Sequence, residues 1–222
     1  MATNLRSEVS IYVIAMQNIF INQLPPGKLS DDLTQLVTDF DYLGLFDEYG
    51  CCCLFINQLL QQVLQSMNYE VRLVECYAKM ESGNQRIFLG HRDYIQAGQL
   101  AGHLSCLVNQ TYIVDFGLGN LHKLCNSAPQ AIASQATLSH EPFGELYFDN
   151  VTKITWHTLT HIPNLEYEIL RQQIKLSEVF KRLQDYQRNR LKFAIHRALF
   201  KKRKKSNAAK ILTRTNFDET YF

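Results

Sequence analysis

Three cysteines in a row, Cys51-Cys52-Cys53, follow Gly50, and a histidine and an aspartate stand further on in two neighbouring apolar segments: Gly102-His103-Leu104-Ser105-Cys106-Leu107-Val108 and Tyr112-Ile113-Val114-Asp115-Phe116-Gly117-Leu118-Gly119. These are the three parts of a Cys-His-Asp acyl-transfer site. A thiol attacks a carbonyl only as thiolate, so it needs a base, and the base needs an acid that fixes its tautomer. The helical pattern selects among the three sulfurs. From Cys53 onward the apolar residues Ile56, Leu59, Leu60, Val63, Leu64 and Met67 recur at alternating steps of three and one, which is one face of a helix. Cys53 therefore falls at the helix start, where unpaired backbone N–H groups and the helix dipole favour an anion. Such a position, or a neighbouring imidazolium, lowers a thiol from about 8.5 into the range of about 3.5–7.5. Asn57, four residues on, shares the face of Cys53.

The His and Asp segments read as a hairpin, and its register decides whether the two side chains meet. Side chains alternate faces along a strand, so a two-residue Asn109-Gln110 turn puts Leu104 rather than His103 on the face of Asp115. A three-residue loop over 109–111 pairs Val108 with Tyr112 and leaves His103 diagonal to Asp115 on one face. The chemistry thus requires an odd loop or a bulge.

Other elements must position these groups. Residues 8–22 are apolar and end at the turn Pro25-Pro26-Gly27; Ser30, with Asp31 and Asp32 behind it, reads as the N-cap of a helix carrying Leu33, Leu36 and Val37. Residues 71–80 read as a strand, 81–84 as a turn and 87–89 as a short strand, and the stretch 165–200 reads as helix before the run Lys201-Lys202-Arg203-Lys204-Lys205.

Composition bounds the rest. The 222 residues can bury one good-sized core or two small ones that share an interface, and 46% hydrophobic with 20% charged residues is ordinary for a soluble globular protein. A net charge of +2 gives no general reason to expect nucleic acid as a partner. No apolar run reaches the about 20 residues of a membrane span, and the short apolar stretch at 11–15 has no secretory cleavage pattern. The six cysteines are even in number, but three are consecutive and neighbours pair only under strain, so reduced thiols in the cytoplasm are expected.

Taken in order, these segments resemble the arylamine N-acetyltransferase family. Gly50-Cys51-Cys52-Cys53-Leu54-Phe55-Ile56-Asn57 is similar to the family's Arg-Gly-Gly-x-Cys motif with its Asn four residues after the cysteine, and Tyr112 to Gly119 resembles its Val-Asp-x-Gly-Phe-Gly strand. Ala15-Met16-Gln17-Asn18-Ile19 is similar to its Pro-Phe-Glu-Asn-Leu segment. The likeness covers roughly residues 10–120, and the chain begins late relative to the family pattern. The resemblance implies an α+β fold: a cysteine-protease-like helical subdomain with the nucleophile (1–70), an antiparallel β-barrel with His and Asp (71–160), and an α-rich lid region with the basic tail (161–222). It implies ping-pong acyl transfer from acetyl-CoA, as donor substrate and without a metal, to an arylamine, arylhydroxylamine or hydrazine. Cys53 is then the nucleophile, His103 the base and Asp115 its orienter, with Asn57, Phe116 and Leu118 as substrate-side residues and Leu118 lining the acceptor pocket. Tyr49 replaces the family's arginine, Cys51 its second glycine and Gln17 its glutamate, so both members of a charged pair are missing together. That is cheaper than one buried charge without its partner.

Two other readings stand beside this one. The same triad serves amide formation, deamidation and peptide hydrolysis, and a degenerate member would act as an interaction protein through its basic tail. That tail reads as a solvated helix end, with an acidic membrane surface or nucleic acid as its alternative contact. His157 and His161 are four apart, as on a zinc-binding helix face, but without an intervening Glu base, and Gly117-x-Gly119 is too short for a dinucleotide fingerprint.

Overall fold

In the computed structural model, residues 20–95, 101–119, 121 and 128–190 are described. The chain is a mixed α+β structure in which one curled sheet backs a layer of helices. The order is β1 (Phe20–Asn22), α1 (Lys28–Tyr42), α2 (Leu45–Tyr49), α3 (Cys53–Ser66), β2 (Val71–Ser82), β3 (Gln85–Leu89), β4 (His103–Val108), β5 (Tyr112–Asp115), β6 (Ala131–Gln135), β7 (Gly144–Tyr147), β8 (Thr152–Thr158) and α4 (Leu165–Arg188). Neighbours in the sheet run β1-β6-β5-β4-β2-β8-β7, with β3 hydrogen-bonded to β2 off that path. The two flanks of the sheet approach each other through a bridge between Ala136 and Gly144. One pairing departs from the expected antiparallel barrel: β1 runs parallel to β6, so the sheet is mixed.

The curl creates two apolar interiors, and strand alternation sorts residues between them. Along β4 and β5, Cys106, Val108 and Val114 face the helices, where they join Phe40, Ile56, Leu60 and Phe116. Leu107 and Ile113 face the inside of the curl with Cys76, Ala78, Ile154 and Trp156. Every residue of β4 is buried, because one face meets helices and the other the curl. Phe116 lies edge-on to Phe40 with ring centroids 5.1 Å apart and also touches Phe20 and Phe46, which pins the end of β5 to α1 and α2.

Helix α1 starts earlier than the sequence suggests. The N-cap is Gly27 and not Ser30; the Gly27 carbonyl accepts the Asp31 N–H at 3.0 Å. The Ser30 hydroxyl instead accepts from Asn22 Nδ2 at 2.8 Å, tying the helix to the end of β1. Helix α4 packs back on α1 and α3 through Leu176, Val179 and Leu183, and Gln187 and Arg190 donate to the buried Asp39 carboxylate. The expected tail helix contact falls at 201–205, and the expected Gln17 partner of Tyr49 at 17; both lie outside the described residues.

Candidate active site

The loop over 109–111 has the odd length that the chemistry requires. Asn109 and Gln110 both adopt positive φ, of 50° and 56°, and Val108 pairs with Tyr112, Leu107 with Ile113 and Cys106 with Val114. In this register His103 and Asp115 share the face that looks into the curl. His103 Nε2 lies 2.6 Å from Asp115 Oδ2, with the His103 side chain 3% exposed and the carboxylate fully buried.

Helix α3 brings the sulfur. Cys53 is its first residue, and the thiol hydrogen-bonds the His103 ring. Asp115 occupies Nε2, so Nδ1 is the ring nitrogen left for sulfur. The close approach depends on Gly117, which follows β5: a Cβ there would sit 2.7 Å from Cys53 Cα and 2.8 Å from Asn57 Nδ2. Gly90, at φ +75°, packs on the backbone entering β4: a Cβ there would sit 2.2 Å from the Gly102 carbonyl carbon and 2.4 Å from the His103 backbone nitrogen. Each of these approaches admits only glycine.

Charge in the site follows from its partners. Burial pushes the Cys53 thiol up, but the charge and hydrogen bond of His103 and the Leu104 backbone N–H outweigh it, and the thiol ends lowered. Burial pushes His103 down, while the charges of Asp115 and Cys53 raise it well above its ordinary value. For Asp115 burial is again opposed, by His103 first and then by hydrogen bonds from Trp156 and Asn57, and it ends lowered. Each partner therefore favours the charged form of the others: thiolate at Cys53, imidazolium at His103 and carboxylate at Asp115. The neighbouring thiols differ: burial raises both Cys52 and Cys76, the latter to about 12. The five described cysteines are all free of disulfides.

Asn57 is a bracket. Its Nδ2 donates to the Leu104 carbonyl at 2.6 Å and to Asp115 Oδ1 at 3.1 Å, and its Oδ1 accepts the Phe116 N–H at 3.0 Å. It thereby joins the helix of the sulfur to both strands of the His-Asp pair. Phe116 and Leu118 are fully buried, Phe116 among the helices and Leu118 inside the curl. Tyr49 stacks on Phe55 at 4.2 Å and donates to Glu48, which makes a neutral aromatic contact where the resembling family has an arginine.

Sequence reasoning missed Trp156. It lies on β8, and its Nε1 donates to Asp115 Oδ2 at 3.0 Å. The alternation of Ile154 and Trp156 marks an inward-facing strand, but only the curl of the sheet carries that strand across to β5. His157 and His161 are not brought together on a helix: His157 is on β8 against Glu141, and His161 follows it near Glu75. Among the described residues no group of three metal-ligating side chains gathers.

An open cavity of about 320 Å³ is lined by Tyr77, His91, Arg92, Asp93, Thr158 and Thr160. Cys76 pairs with both His103 and Thr158, so the cavity rim stands two strand spacings, about 10 Å, from His103. No helix of the described residues is long and apolar enough to cross a membrane. No protein-family model, curated protein or solved structure matches the chain.

Proposed function

We propose that the protein is a cytoplasmic acyltransferase of the arylamine N-acetyltransferase type, using Cys53, His103 and Asp115 in two half-reactions. The observation that carries this reading is Cys53 at the start of α3 beside His103, whose Nε2 is held 2.6 Å from the buried Asp115 carboxylate, with the thiol lowered by that imidazole. In the first half, the Cys53 sulfur attacks the carbonyl carbon of acetyl-CoA, the C–S bond to coenzyme A breaks, and the leaving thiolate takes a proton from His103. In the second, the nitrogen of an arylamine, arylhydroxylamine or hydrazine attacks the thioester. His103 removes the amine proton, and the Cys53 thiolate is regenerated beside the imidazolium.

A thioester donor suits this site because thiol and leaving group are alike, so exchange between them has little thermodynamic cost. The amine needs a base of intermediate strength, which a neutral His103 supplies once the thiolate charge is gone. Asp115 keeps Nδ1 free for both steps. The cavity at Thr158 and Arg92 offers room for a part of a substrate remote from the reacting carbonyl.

The test is acetyl-CoA without acceptor, followed by intact mass and peptide mapping. One acetyl group is expected on Cys53 and none on Cys51 or Cys52, and an aromatic amine or hydrazide should then remove it. No adduct from acetyl-CoA or longer acyl-CoAs defeats the proposal, and an adduct on Cys51 or Cys52 assigns the nucleophile elsewhere.

A further inference from the structure

Asp115 receives four donors, two on each oxygen. Oδ1 takes the Gly117 N–H at 2.8 Å and Asn57 Nδ2 at 3.1 Å. Oδ2 takes His103 Nε2 at 2.6 Å and Trp156 Nε1 at 3.0 Å. Gly117 and Asn57 belong to the backbone and helix that build the site, whereas Trp156 comes from β8, three places along the sheet from β5, and reaches Asp115 across the interior. It is the chain's one tryptophan and is fully buried. A buried indole needs a partner for its N–H. Phenylalanine would fill most of that space without the donor, so the N–H itself sets this position apart.

We propose that Trp156 is a positioning residue for the Cys53-His103 pair, acting through the Asp115 oxygen that also binds His103. A second donor on Oδ2 fixes rotation of the carboxylate, so the oxygen stays in line with Nε2. It also draws off part of the negative charge, which limits how far Asp115 stabilises the imidazolium. Without the N–H, Oδ2 carries more charge and the imidazolium loses its proton at higher pH, while the carboxylate turns more freely and holds the ring less well. The inference rests on the reading of Cys53 and His103 as the reactive pair, but not on the identity of the acyl donor.

The experiment is the rate of Cys53 alkylation by iodoacetamide against pH, with peptide mapping and thermal melting, in Trp156→Phe and in full-length protein whose tryptophan is replaced biosynthetically by benzothienylalanine. The second keeps the ring system and exchanges N–H for sulfur, so it decides the matter if Trp156→Phe does not fold. Folded protein whose alkylation slows several-fold at neutral pH, with its alkaline limb moved to higher pH, supports the inference. A profile superimposable on that of the parent overturns it and leaves Trp156 as packing. If the parent shows the limbs but takes no acetyl group from acetyl-CoA, the acyl-CoA reading fails and the role of Trp156 is still read from the limb. A parent Cys53 that titrates as an ordinary thiol overturns both.

Discussion

Two of the described histidines lie within 3.0 Å of a carboxylate oxygen, His103 and His157, and the surroundings make them opposites. His103 lies inside the curl with Nε2 on Asp115 Oδ2 at 2.6 Å, and the Cys53 thiol reaches the ring from α3. His157 lies on the outer face of β8 with Nδ1 3.0 Å from Glu141 Oε1, its Nε2 3.0 Å from the Thr155 hydroxyl, and its ring stacked on Tyr77. Both have an acid and a neighbouring nucleophile type. Yet His103 is raised well above its ordinary value, whereas at His157 burial wins over the attraction of Glu141 and the imidazole is lowered. The difference is in the acid and in the third group. Asp115 is fully buried with four donors, while the Glu141 side chain is half exposed. A charge facing water is screened and holds its partner weakly. Cys53 can become an anion beside His103, but the Thr155 hydroxyl, within hydrogen-bond reach of His157 and of the Lys79 carbonyl, stays neutral.

The sharpest way to break this comparison is to remove each imidazole. His103→Ala should slow Cys53 acylation by about 10²–10⁴-fold, the ordinary worth of a positioned general base. His157→Ala should leave it unchanged. Single-turnover acetylation followed by mass spectrometry measures both, and equal effects of the two substitutions would dissolve the distinction drawn between them.

Exchanging the acids is a smaller perturbation that tests orientation. Asp115→Asn keeps the size of the side chain but no longer holds His103 in the tautomer with its proton on Nε2. Acylation should fall by up to about 10⁴-fold, the loss seen when such a carboxylate becomes an amide. Glu141→Gln should leave acylation untouched and change stability by less than about 1 kcal/mol, as for other exposed pairs. If the Glu141→Gln protein were defective in acylation, with a normal melting temperature, the outer pair would have to communicate with the inner one.

How much of this was readable in advance depends on how local each signal was. Cys53 as a helix start follows from the steps between Ile56, Leu59, Leu60, Val63 and Leu64, and α3 begins there. The odd loop over 109–111 follows from period-two alternation once His103 and Asp115 are required on one face, and the register obeys it. Local reasoning failed at Ser30, because a cap signal within one segment carries no information that Asn22 will engage its hydroxyl from another. The four-residue spacing of His157 and His161, set aside as a zinc site for want of a Glu base, falls on β8 and the chain after it and not on a helix. Asn57 was legible only as a neighbour of Cys53; its bonds to Leu104 and Asp115 come from the way strands pack on α3. Trp156 was silent for the same reason, since strand order and curl are properties of the whole sheet.

The mildest test uses the opposite titration of the two imidazoles. His157 is lowered in the folded protein, so the unfolded chain binds its proton first; this group withdraws stability as pH falls through the unfolded value of about 6.5. His103 is raised, so its contribution is fully present below about 6.5 and is lost only as pH rises through its higher folded value. Between pH 5 and 7 the two groups therefore tilt stability in different ways: His157 favours the upper end and His103 the lower. His157→Asn should flatten the acid side of the stability curve, protecting the protein at pH 5 relative to pH 7 by no more than about 1 kcal/mol, because the site is partly open to water. Urea unfolding at a series of pH values reads this directly. An unchanged difference between pH 5 and pH 7 in His157→Asn would mean that Glu141 holds a proton on His157 after all, and the outer pair would then differ from the inner one in location but not in charge.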